Sequence, residues 1–146
     1  MYSYRFGKRS RSNLKGVDDR LVRICNRALQ LSPIDFGITE GIRSVERQRF
    51  MVASGRSDTM NSRHLTGLAV DIVAYKNGGV VTWDFETYRT ISRSFIRAGW
   101  EYETAVTWGG DWPRLRDGVH FQIDAKRKTG FIAGYIKKIN DVFYKS

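Results

Sequence analysis

His64 and His120 are the two histidines of this 146-residue chain. His64 precedes Asp71 by seven positions in NSRHLTGLAVDIV, and the aspartate lies inside the apolar run 68–73. A carboxylate placed there is costly unless it is hydrogen-bonded, paired or bound to a metal. Bonding to backbone at a strand end is one solution; a cation shared with His64 is another. Fully extended, residues 64 and 71 would stand about 23 Å apart, so sharing an ion requires a turn, which Gly67 permits. On a strand, Asp71 takes one face with Ala69 and Val73, while Leu68, Val70 and Ile72 take the other. In DGVHFQID the same alternation turns Val119, Phe121 and Ile123 one way, and His120 and Gln122 the other. Two histidines and one carboxylate, with water in the fourth position, make a common open zinc site. Two histidines with unrelated polar partners are the alternative that the residues leave open. Asp117 either swings toward the metal water through a bend at Gly118 or is an ordinary turn aspartate.

The elements around these residues follow from pattern. Residues 17–31 place Val17, Leu21, Ile24, Ala28 and Leu31 at helical spacing, with Asp18 and Asp19 at the start and Ser32-Pro33 at the stop. IDFGIT reads as a short strand. Ser44 can cap a short helix that Gly55 ends. Residues 56–66 form a loop that delivers His64, and GLAVDIVAY reads as a strand. After a turn at 77–79, Thr82 caps a helix with Phe85, Tyr88, Ile91, Phe95 and Ala98 on one face and Gly99 at its end. WEYETAVTW and VHFQID read as strands around the loop WGGDWPRLRDG. Residues 126–146 read as a basic amphipathic helix. The element order lacks a βαβ rhythm, which favours an α+β fold.

The length suits a single domain spanning 1–146. At 41% hydrophobic and 27% charged, the composition is that of a globular protein, which sets disorder aside. No apolar stretch reaches bilayer length. The N-terminus is basic and lacks the apolar run of a secretory signal, so synthesis in the cytoplasm with export by outside help is expected. The lone Cys25 excludes an intrachain disulfide and a cysteine-built zinc site, and reads as packing. A net charge of +10 predicts attraction to polyanions, whether nucleic acid, anionic membrane or cell envelope. The basic residues are spread along the chain, and charge explains neither His64 with Asp71 nor Asp117 with His120; no nucleic-acid partner is expected. Trp108, Asp111 and Trp112 are candidates to line a substrate groove, with core anchoring as the alternative for the tryptophans.

SRHLTGLAVD, followed by WGGDW and DGVHFQ, resembles the zinc peptidases of the D-Ala-D-Ala carboxypeptidase/dipeptidase superfamily. Within it, the closest likeness is to the phage endolysins that act as L-alanyl-D-glutamate peptidases. DFGITEGIRSVERQ matches the segment before the first ligand, and the resemblance covers about residues 15–124. It implies a small antiparallel sheet flanked by helices. It implies His64, Asp71 and His120 as ligands of Zn2+, and Asp117 as the acid/base. It implies Arg43 as the group polarising the scissile carbonyl and Ser62 near substrate; read without the resemblance, Arg43 is an ion-pair partner for Glu40 or Glu46. Gln48 matches the family segment, with a solvated helix residue as the other reading. The implied function is hydrolysis of the peptidoglycan stem peptide, by a monomer that reaches the wall from the periplasm after membrane permeabilisation during host lysis. A D-alanyl-D-alanine carboxypeptidase or dipeptidase on the same scaffold is the alternative, and a wall-binding module without catalysis is a third reading. Residues 126–146 would either pack on the domain or engage anionic membrane or lipopolysaccharide.

Overall fold

Five antiparallel strands form one sheet in the computed structural model, which describes residues 4–125. The strands are β1 (Asp35–Glu40), β2 (Ala69–Lys76), β3 (Val80–Thr82), β4 (Val106–Trp108) and β5 (His120–Ile123). Their order is β1-β2-β5-β4, with β3 pairing β2 as a hairpin. The helices are α1 (Lys8–Asn13), α2 (Asp19–Leu31), α3 (Val45–Ala53) and α4 (Phe85–Glu101). This is the α+β arrangement that the element order implied. No helix among the described residues is long and apolar enough to cross a membrane. The expected helix over 126–146 lies outside the described residues.

Side-chain alternation divides the sheet into two functional faces. Phe36, Ile38, Val70, Ile72, Ala74, Val106, Phe121 and Ile123 join Leu21, Ile24 and Ala28 of α2 and Tyr88, Ile91 and Phe95 of α4 in one apolar core. Asp71 of β2 and His120 and Gln122 of β5 therefore fall on the opposite face. Packing thus fixes which way the candidate ligands point. Cys25 is fully buried within that core.

Several boundaries differ from the expected ones. Asp84, rather than Thr82, caps α4: its Oδ2 accepts from the Thr87 backbone N–H at 3.2 Å and from its hydroxyl at 3.0 Å. Thr82 instead ends β3, a strand whose three residues carry no clear alternation. The helix also runs through Gly99 to Glu101. Its last turn is held to α2 by the Arg27–Glu101 ion pair at 2.6 Å, and the following strand is three residues long. The helix α1 was not expected. It covers the open edge of β1, where Ser10 Oγ accepts from the Ile38 N–H at 2.9 Å and Asn13 donates to the Ile38 carbonyl at 2.8 Å.

Candidate metal centre

Asp71 sits mid-sheet, in register with Glu40 of β1 on one side and His120 of β5 on the other. His64 arrives through a 3-10 turn over Arg63–Thr66, which Gly67 closes in the left-handed conformation (φ 75°). This is the turn that sharing an ion required. Ser62 caps it, its Oγ accepting from the His64 N–H at 3.2 Å.

Hydrogen bonds assign the protons. His64 Nδ1–H donates to the Gly41 carbonyl at 2.8 Å, and His120 Nε2–H donates to Gln122 Oε1 at 2.8 Å. In neutral rings the opposite nitrogens are then bare. Those nitrogens, His64 Nε2 and His120 Nδ1, lie 3.2 Å apart, and each is 3.1 Å from Asp71 Oδ1. Three electron-rich atoms at that spacing repel unless a proton or cation stands among them. Tetrahedral ligands bound at ordinary zinc distances are separated by about 3.3 Å, close to the triangle seen here. The donor set therefore fits a metal ion, and each histidine already has the outer partner that fixes a ligand's tautomer. Burial opposes the charge on Asp71, yet its bonds to His120 and His64 hold it well below the usual carboxylate range. Burial likewise opposes the charge on His120, but its bond to Asp71 raises it above the ordinary histidine value.

The triad opens onto a cavity of about 1010 Å³. Ser62, Trp112, Asp117 and Arg43 line it with the three candidate ligands. Burial, and then the charge on Asp71, push the Asp117 carboxyl above its ordinary value. The bend at Gly118 that brings it there is tight. Gly109 packs so closely that an added Cβ would stand 2.4 Å from the Asp117 carbonyl. Arg43 is 7% exposed. It grips Glu40 with two bonds of 2.8 Å, donates to Gln48 at 2.8 Å and reaches Asp71 Oδ2 at 3.4 Å. The Glu40 pairing is thus present, half-buried, and the same guanidinium also reaches a candidate ligand.

Two candidate groove residues are placed elsewhere. Trp108 is 1% exposed, stacks on Phe85 and donates its indole N–H to the Gly118 carbonyl at 2.7 Å. It braces the Asp117 bend from within the core instead of lining the groove, because strand alternation turns it to the helix-covered face. Asp111 ends a 3-10 turn, exposed and outside the cavity lining. Trp112 is the tryptophan in the cavity, its ring 5.0 Å from that of His120.

Residues 2–139 match the family described as phage L-alanyl-D-glutamate peptidase. The chain belongs to that family. Among relatives of the phage L-alanyl-D-glutamate peptidases, it is 38% identical to the L-alanyl-D-glutamate peptidase of Escherichia phage T5, over 94% of this chain and 99% of that one. It is 34% identical to the peptidoglycan L-alanyl-D-glutamate endopeptidase CwlK of Bacillus subtilis, over 62% and 61% of the two chains. The crystal structure of the Serratia marcescens L-Ala D-Glu endopeptidase ChiX superposes with a TM-score of 0.76 at 48% identity, covering 80% of this chain and 87% of that one. Three groups around the site carry roles that residue types and spacing do not point to: the Gly41 carbonyl, Gln122 and a fully buried Gln48. Two of them left a signal: Gln122 lies two positions beyond His120 on the same strand face, and Gln48 falls within the segment DFGITEGIRSVERQ that matches the family.

Proposed function

We propose that this chain is a zinc peptidase of the peptidoglycan stem peptide, cutting the L-alanyl-D-glutamate bond as a phage endolysin in host lysis. The observation that carries the reading is the His64–Asp71–His120 triangle opening into a cavity that also holds Asp117. The printed activities of the phage T5, Bacillus and Serratia relatives support the choice of bond.

His64, Asp71 and His120 would hold the ion. Zinc in such a site supplies a water acidified to a pKa of about 7 and a polarised peptide carbonyl. Asp117 takes the proton of the attacking water and returns it to the departing amine, and its raised carboxyl suits that double duty. Arg43 supports charge developing on the carbonyl oxygen while it orients Asp71. Ser62 sets the turn that presents His64 and offers its edge of the cavity to substrate. We further propose that the chain acts as a monomeric single domain on the periplasmic face of the wall, with its basic surface drawn to anionic envelope components.

Digestion of purified peptidoglycan, followed by mass spectrometry of the new termini, tests the assignment. D-glutamate as the new amino terminus is the expected result. Release of terminal D-alanine would establish the D-alanyl-D-alanine carboxypeptidase chemistry instead.

A further inference from the structure

The helix α3 gives Met51 to the cavity wall, yet it is not attached the way a surface helix ordinarily is. A nine-residue helix is marginal in water alone and depends on an apolar face for anchorage. In α3, Val45 and Phe50 are exposed, the helix touches the other helices and strands only sparsely, and its single buried residue is Gln48. That side chain is fully buried, and its amide is in use at both ends. Its Oε1 accepts from Arg43 Nη1 at 2.8 Å, while its Nε2 donates to Ser57 Oγ at 3.0 Å and to the Thr59 carbonyl at 2.7 Å. One amide therefore ties α3 to the cavity-lining loop at 57–59 and to the arginine that reaches Asp71.

We infer that Gln48 is a positioning residue: it latches the cavity wall of α3 and residues 54–62 onto the Arg43–Asp71 pair. The wall that meets substrate and the outer support of a metal ligand are then set by a single side chain. A buried amide with all its bonds made is costly to disturb, since each partner left behind is desolvated and unpaired. The substrate half of this inference rests on the proposed function; the wall and metal half does not.

Two variants separate the halves. Gln48→Glu keeps an acceptor for Arg43 but has no N–H for Ser57 or Thr59, whereas Gln48→Ala removes every bond. Zinc affinity is read by chelator competition, and local opening by amide hydrogen exchange across residues 45–62. Turnover is followed on a stem-peptide substrate. Exchange across 45–62 should quicken in both variants while the core helices α2 and α4 stay protected. Zinc affinity should fall in Gln48→Ala, with the about 10–100-fold of losing a direct outer-shell partner as the ceiling because Gln48 acts on Asp71 through Arg43, and stay within about twofold of that of the unaltered protein in Gln48→Glu. In Gln48→Glu, KM should rise with kcat nearly kept. Unchanged exchange across 45–62 in both variants would overturn the latch, as would equal zinc loss in the two. If Gln48→Ala does not fold, Gln48→Glu and Ser57→Ala decide the wall by exchange alone. The zinc and exchange readouts need no turnover, so failure to cut the L-alanyl-D-glutamate bond would count against the proposed function and leave the latch to be judged separately.

Discussion

Asp117 and His120 stand three residues apart, and the proposed function gives them different work. His120 Nδ1 faces the point shared with His64 and Asp71, whereas Asp117 lies in the cavity without joining that triangle. Asp117→Ala should therefore keep its zinc and its melting temperature while losing about 10²–10⁴ in rate. His120→Ala should lose zinc and activity together. Zinc analysis, a thermal melt and turbidity loss of a wall suspension check both; near-normal turnover by Asp117→Ala would remove it from the mechanism. Gln122 gives a graded test. Its Oε1 fixes the His120 tautomer at 2.8 Å, so Gln122→Ala should weaken zinc binding about 10–100-fold and regain rate when zinc is raised. A rate that stays low at saturating zinc would mean that Gln122 acts on substrate instead.

At the scale of elements, the site depends on two bends, and each leans on a glycine. Gly67 turns the chain between His64 and β2 at φ 75°, and an added Cβ would come within 2.9 Å of the Gly16 carbonyl. Gly109 lies under the Asp117 bend, with the His120 Cβ 3.1 Å from where its own Cβ would be. Backbone cannot yield as a flexible side chain does, so Gly109→Ala should push the Asp117 segment outward. Activity should fall by at least the factor expected for Asp117→Ala, with a lower melting temperature and weakened zinc binding through His120. If Gly109→Ala retains full activity, the close packing of this bend is not what places the acid/base. The same bend explains why Trp108 could not be assigned from sequence. Its ring supports Gly118 from the core, whereas Trp112, four residues on, faces the cavity. A loop rich in glycine and tryptophan does not announce which ring goes inward.

For the whole molecule, the proposed zinc and a proton would compete for one cluster. In the metal-free chain the His120 value is raised, so the stability it contributes is full below the unfolded value, about pH 6.5, and is lost as pH climbs through the folded value. Zinc needs the deprotonated ligands, so its stabilisation grows over the same interval. The gap in melting temperature between zinc-loaded and zinc-free protein should widen from about pH 6 to about pH 8; a gap that narrows would contradict the ligand set. The α+β class, the core stripes of α2 and α4 and the faces of β2 and β5 are legible in residue order, because burial imposes a period on side chains and that period survives along the chain. Residue order also singles out His64, Asp71 and His120, since chemistry limits which side chains can hold a cation. Folding brings about the rest: Arg43 is locked between Glu40 and Asp71, Gln122 and the Gly41 carbonyl fix the histidine protons, and Gln48 is buried instead of solvated. Those contacts join residues on different elements, at distances set by how the sheet, the bends and α3 meet. No local period encodes where separate segments touch.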